Sequence, residues 1–515
     1  MSKPYIFSVV NLLTVFLVVT ITYGQKNGPD RETNSYTNPL IPADFPDPDV
    51  IFVNDTYYMV STTMFVVPGV TILKSKDLVN WEYCSNAVSR FDFGPCYNLD
   101  NCHRYSHGQW ATSLKYSNGK FYLLFITLDE GGFLCTASKA EGPWEIKKLP
   151  KGFYDPGLFF DDDGRIYVAH GYSNIMITEV DQNLAPKSQD SLVFRGDIRK
   201  GLEGAHVYKI NNYYYLYCTY GGEDGIQVAL RSKNIYGPYE QKVVIQDTTK
   251  GLNFGIHQGA LIKAQTGEWW TILFVDSGPF GRFPSLQPVT WVDDWPMVGV
   301  NGKAVITYKK PNIGKTYPVT VLPTSDEFND QELGKQWGWN HNPDSTKWSL
   351  TQRYGYLRLA TAKVTSNLRE ARNTLTQRIF ANRNQDIPTV SVTRLEFGQM
   401  KNGDIAGLAV FQDPYAYIGV QKQKGKVMVI MVNNGRTVAM TSITGNNVYL
   451  KASASNTTKK ATFEYSLDNK NYVPLGEELT MNFSLKIFTG NKFCLFNYAT
   501  LETGGYVDFD WFRVN

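Results

Sequence analysis

The sequence has little that would build a helix. No long amphipathic stretch at the 3.6-residue period runs through its 515 residues, which excludes bundles and the alternating β–α folds. Charge imbalance is missing as well. Lys and Arg number 51 against 48 Asp and Glu, a net charge of +3, and the basic residues are not blocked together, so the electrostatic footprint of a nucleic-acid binder is absent. None of the six cysteines has CxxC spacing, which argues against a structural zinc site. No Gly-rich phosphate cradle stands in context. The one long apolar run, Ile6 to Ile21, is short of the about 20 residues that a bilayer span takes. It follows Lys3 and ends at Thr22-Tyr23-Gly24, the pattern of a cleaved export signal over residues 1–24. The expected location is therefore periplasmic or extracellular, with no stable membrane span after cleavage. Residues 25–35 are polar and read as a flexible segment.

What is plentiful is aromatic: 14% of the chain, with 32 Tyr and 29 Phe. Such a composition reads as nearly all β. Five blocks repeat one pattern, a polar turn followed by aromatic and β-branched residues. They begin at Asn54, Asn118, Asp163, Asn211 and Thr266, with gaps of roughly 45 to 65 residues. That is the size of a four-stranded propeller blade. A second recurrence, a turn with an aromatic at fixed offset, ends in Trp81, Trp144 and Tyr239 and marks the outer edge of a blade. The Gly-His and Trp-Asp punctuation of WD scaffolds is missing.

The texture changes after residue 310. Pro311-Asn312-Ile313-Gly314 opens a linker over 311–325, and from residue 326 short alternating strands with polar turns indicate a β-sandwich to residue 515. The expected fold is thus all-β, a five-bladed β-propeller over 36–310 followed by a sandwich. Cys96 and Cys102 share one loop and are placed to pair; the other cysteines read as buried thiols.

Two carboxylates stand out. Asp47 lies in Phe45-Pro46-Asp47-Pro48-Asp49, where a proline on each side restricts the backbone and fixes the direction of the side chain. Asp49 reads as a cap for the turn. Glu203, in Gly201-Leu202-Glu203-Gly204-Ala205, sits among small and apolar residues, a setting that raises a carboxyl pKa and suits a general acid.

With these motifs the first 300 residues resemble glycoside hydrolase family 43, five-bladed propeller enzymes that remove terminal arabinofuranose or xylose. The resemblance runs through Asn38-Pro39-Leu40, the Asp47 turn, Val67-Pro68-Gly69-Val70, Ser75 to Trp81, Glu203-Gly204 and Asp293-Asp294-Trp295-Pro296. It implies Asp47 as general base and Glu203 as general acid. It also implies Arg282 as a sugar-contacting residue, and His257 as a ligand of a central cation or water. The C-terminal part resembles the concanavalin-like sandwich of family β-xylosidases, through Trp339-Asn340-His341-Asn342-Pro343 and Ala371 to Arg378. In relatives this domain packs on the propeller and can send a loop toward the active-site mouth.

The chain departs from the pattern twice. Where family members carry a third Asp after Trp-Ala-Pro, this sequence reads Trp110-Ala111-Thr112-Ser113. Asp155, in the Asp-Pro turn that opens its own blade, is the expected replacement. Met64-Phe65-Val66-Val67 lacks the Trp of xylosidase relatives. Phe65, Trp110 and Phe254 are the expected aromatic pocket walls. The missing Trp tilts the reading toward arabinofuranose. The expected activity is exo-acting, inverting release of α-L-arabinofuranose from hemicellulose side chains. The alternatives are a β-D-xylosidase and a non-catalytic carbohydrate-binding propeller. No organic cofactor is implied; Asp326 and Asp510 are the expected holders of a structural calcium ion. The expected partners are arabinose- or xylose-containing oligosaccharides, and the protein itself is expected to be a monomer or weak oligomer.

Overall fold

The computed structural model describes residues 34–222, 224–247, 255–384 and 386–515. The export signal, most of the polar segment and Phe254 lie outside the described residues.

Five four-stranded antiparallel sheets follow one another along the chain. Their first strands are Asp49–Val53, Thr112–Ser117, Gly157–Phe160, Leu202–Ile210 and Ile256–Lys263. These five strands touch their neighbours in a closed ring, the last against the first, and so surround a central axis. Each sheet then runs outward in chain order. The repeated polar turns are the tight hairpins between first and second strands, as at Asn54–Asp55 and Asn211–Asn212, with positive φ at each of these residues. Asn and Asp tolerate that conformation better than other side chains. Large side chains such as Tyr57, Tyr167, Tyr215 and Trp270 are fully buried between sheets.

The C-terminal residues form two packed eight-stranded antiparallel sheets. One of them is not made by the C-terminal domain alone. Its edge strand is Val66–Val67, lent by blade one, paired with Trp339–Asn340. The propeller thereby covers a sheet edge that would otherwise expose unpaired backbone groups. Cys96 and Cys102 form a disulfide, while Cys84, Cys135, Cys218 and Cys494 are buried thiols.

Candidate active site

Asp47 and Asp155 are built the same way. Each stands two residues ahead of its blade's first strand, is followed by proline and has a positive φ, 55° and 45°. A non-glycine residue in that region carries strain, and the kink turns the side chain out of the strand direction toward the axis. Pro46, ahead of Asp47, is pinned through its carbonyl by the Ser61 hydroxyl at 3.0 Å and the Thr62 amide at 3.2 Å. The Tyr154 carbonyl, ahead of Asp155, accepts from the Gly171 amide at 3.0 Å.

Glu203 reaches the same place by a different device. The ladder between Leu202–Ile210 and Tyr213–Tyr220 slips by one residue between Glu203 and His206, and Gly204 sits at φ 68°. Such a bulge re-aims the adjacent side chain. The Tyr154 hydroxyl donates to Glu203 Oε2 at 3.0 Å. A Cβ on Gly221 would stand 3.2 Å from Glu203 Oε1, so glycine there leaves the carboxyl its space.

The three carboxylates act on one another. Burial, then Glu203 and Asp47, push the Asp155 carboxyl well above its ordinary range, against the pull of Arg282 and the Gly204 amide. Burial also raises Glu203, with Asp47 adding to it and the Tyr154 hydrogen bond opposing. Arg282 Nη1 donates to Asp47 Oδ1 at 3.1 Å. Its Nε and Nη2 are buried and have no partner among the described residues, although a guanidinium carries five N–H donors that demand acceptors. Around it stand Phe274, Phe488 and Phe483, at 5.5, 4.9 and 5.9 Å from ring centroids. Trp110 is half-buried, its ring 5.9 Å from Tyr154 and 5.2 Å from Phe488. The result is a carboxylate-lined recess with aromatic walls and two free donors, suited to a polyhydroxylated ring with a bond to be cleaved by acid and base.

Several expected residues fall elsewhere. Phe65 has no exposed surface. It lies between the domains, its ring 5.2 Å from His341 and 4.6 Å from Tyr105, because the adjoining Val66–Val67 strand draws it against the sandwich. It is not a pocket wall. Ser113 lies below the recess, accepting from the Leu158 amide at 3.0 Å. Asp49 is there too, fully buried and held by Lys115 at 3.0 Å and His206 at 3.4 Å. Burial alone would raise the Asp49 carboxyl, but His206, Lys115 and the Leu114 amide hold it well below its usual range; it ties inner strands together. His257 gives Nε2 to Asp276 at 3.2 Å, and its buried Nδ1 has no partner among the described residues. Among the described residues no three His, Cys, Asp or Glu side chains gather as a metal set. The residues present therefore do not make a protein cage for a cation at His257, and no step is derived through one. Around Asp326 and Asp510, too, the described residues gather no set of three such side chains. Asp326 takes the Phe328 amide and the Trp337 indole N–H, both at 2.8 Å. Asp510 takes Arg394 at 2.6 Å. Each of the two carboxylates thus accepts from protein donors.

Sequence reasoning missed Tyr154, whose only signal was its place beside Asp155. It also missed Phe483 and Phe488, on a sandwich loop with no distinguishing motif, and Asp44. Asp44 Oδ1 accepts from the Arg282 amide at 2.9 Å and Oδ2 from the Gly490 amide at 2.8 Å. One carboxylate thus fastens both the arginine and the loop that carries Phe488.

A five-bladed propeller with this buried carboxylate set and a concanavalin-like partner defines a glycoside hydrolase. The chain belongs to glycosyl hydrolases family 43, whose model matches residues 36–296, and residues 325–515 match the β-xylosidase C-terminal concanavalin A-like domain. It is 34% identical to a β-xylosidase of Formosa agariphila, covering 94% of this chain and 90% of that protein. It is 31% identical to a non-reducing end α-L-arabinofuranosidase of Bacteroides ovatus, over 63% of this chain and 65% of that protein. Among solved structures, a bifunctional GH43-CE protein of Bacteroides eggerthii superposes with a TM-score of 0.86 at 36% identity. The match covers 96% of this chain, which spans 64% of that one.

Proposed function

We propose that the enzyme removes single pentose units from the non-reducing ends of xylan-derived oligosaccharides with inversion, and that β-D-xylose is its first substrate. The observation that carries the hydrolytic reading is the convergence of Asp47, Asp155 and Glu203 beside an arginine with two unpaired donors. Protonated Glu203 gives its proton to the leaving oxygen. Ionised Asp47, oriented by Arg282, takes a proton from water attacking the far face of the anomeric carbon. An inverting pair stands roughly 6.5–9.5 Å apart to admit that water. Asp155 and Glu203 are both raised and coupled, so the pair does not give up both protons together and one stays available for the leaving oxygen. Arg282 Nε and Nη2 hold sugar hydroxyls.

Xylose is placed first because the lean toward arabinofuranose rested on a missing Trp alone, in a segment drawn against the sandwich with Phe65 buried. The β-xylosidase likeness also runs the length of the chain. Arabinofuranose remains the second reading, favoured by the Bacteroides ovatus relative. Export to the periplasm or beyond fits a substrate of this kind. The test is hydrolysis of xylobiose and of aryl α-L-arabinofuranoside side by side, followed by proton NMR. Release of α-D-xylose first from xylobiose supports the proposal. β-D-xylose as the first product refutes inversion, and turnover of the arabinoside alone refutes the choice of sugar.

A further inference from the structure

Tyr172 stands out among the aromatic residues near the recess because it is 55% exposed. It occupies the hairpin between Ile166–His170 and Asn174–Val180. Its ring meets Tyr154 edge to face, with centroids 6.2 Å apart and planes at 88°. Tyr154 in turn donates to Glu203 and touches Trp110. A line of three rings therefore runs from the recess, past the acid, into solvent.

The outermost ring is fixed in place. A Cβ on Gly201 would fall 2.2 Å from the Tyr172 hydroxyl and 2.3 Å from its Cζ, and Gly201 has φ 67°. The ring thus lies against bare main chain two residues before Glu203. The Ser173 amide donates to the Leu202 carbonyl at 2.8 Å, and the Gly196 amide to the Ser173 carbonyl at 2.7 Å. The hairpin is tied to the same strand that carries the acid. In the segment that leads into that strand, Ile198 is 79% exposed, an apolar side chain left in water. A tyrosine ring so held and so exposed offers a surface on which a sugar's C–H face packs well.

We infer that Tyr172 is the stacking platform of a subsite for the leaving-group sugar. Glu203 must protonate the leaving oxygen, so the departing residue begins at that carboxyl. Tyr172 is one aromatic ring further out on the acid's own side, which is the reach of the next pyranose. The substrate class this selects is an oligosaccharide of pyranose units, in preference to a glycoside with a small leaving group. The inference rests on the hydrolase reading above.

The test compares kcat/KM for xylobiose, which fills the subsite, with that for β-D-xylosyl fluoride, which cannot. An arabinosylated xylo-oligosaccharide and α-L-arabinofuranosyl fluoride form the matching pair for the second sugar. Tyr172→Ala is expected to lower the oligosaccharide-to-fluoride ratio about tenfold, the loss of one ring contact of this kind, and Tyr172→Phe to restore it. An unchanged ratio in Tyr172→Ala overturns the inference. So does an equal fall on both substrates, and so does a lowered ratio that comes with a shifted alkaline limb of the pH profile, since the ring would then act through Tyr154 and Glu203. A wild-type enzyme inert on both fluorides and both oligosaccharides overturns the hydrolase reading itself, an outcome distinct from either.

Discussion

Replacing Asp155 by Asn removes one of three mutually repelling carboxylates with almost no change of shape. In the wild type, burial and its neighbours raise both Asp155 and Glu203, Asp155 the further, so the two like charges resist forming together and the pair titrates as one. Neighbouring unit charges at an effective dielectric near 20 repel by a few kcal/mol, about 4 kcal/mol at 4 Å, equivalent to about 2 to 3 pH units. Losing that repulsion lets Glu203 ionise earlier. The alkaline limb of the kcat/KM profile is expected to move down by about 1 to 2 units. At pH 7 turnover of xylobiose should fall roughly 10- to 100-fold, and much of it should return at pH 5. An aryl xyloside with a strongly acidic phenol needs little help from a proton donor and should lose far less. Profiles on both substrates, with a melting curve to verify folding, decide the matter. A profile lowered uniformly at all pH values would refute the electrostatic role and leave Asp155 as an orienting group. Normal turnover at pH 7 would remove it from the mechanism.

Three other outcomes follow from the same reasoning. Asp44→Ala strands two buried amides and deprives Lys492 of its opposite charge; burial already draws that amine down to about 8 against the support of Asp44. The expected cost is about 3 to 5 kcal/mol, seen in melting, with a raised KM because Arg282 and Phe488 lose their common anchor. Phe488→Ala should widen the recess and reduce kcat/KM about tenfold, without the shift in pH profile expected for Asp155→Asn. Burial raises the Asp404 carboxyl to about 6, against the Lys401 amide. A carboxyl raised in the folded state binds its proton more tightly there than in the unfolded chain, so its stabilising contribution is complete below about pH 4 and is lost as pH rises to about 6. Asp404→Asn should therefore raise the melting temperature at pH 7 and leave it unchanged at pH 4, and no difference between the two would refute the assignment.

What could be read from sequence was what the chain specifies locally. The blades announce themselves because each hairpin needs a turn with positive φ and each sheet needs large apolar side chains at alternate positions. Asp47 and Asp155 were visible for the same reason, since an Asp-Pro turn ahead of an inner strand is written in three consecutive residues. Arg282 and Glu203 came from resemblance more than from spacing. What stayed hidden depends on contacts across the whole chain. Asp44 meets Gly490 from 446 residues away, and no window of sequence holds both. Phe65 misled because an aromatic beside a Val-Pro-Gly turn resembles a pocket wall. Its burial is decided by the pairing of Val66–Val67 with Trp339–Asn340, which blade one's own pattern does not reveal.

That pairing changes how the second domain should be understood. A propeller alone would leave the Val66–Val67 edge unpaired, Phe65 facing water and Arg282 without Phe483 and Phe488. The sandwich supplies all three corrections from separate strands and loops: Trp339–Asn340 for the edge, His341 for Phe65, and the loop fastened at Gly490 for Arg282. Arg378 adds a fourth, donating to the Asp44 carbonyl at 2.7 Å while its guanidinium lies 4.3 Å from the centre of the Phe45 ring. Phe45 and Asp44 lead directly into the Asp47 turn. The backbone that aims the proposed base is therefore gripped from the sandwich side, and the strain of a positive φ at Asp47 is supported by residues more than 300 positions away in the chain. Such support is what a kinked, charged turn requires to persist. On this argument the sandwich is part of the active-site structure, and damage to its loop at Gly490 should register first as altered substrate affinity.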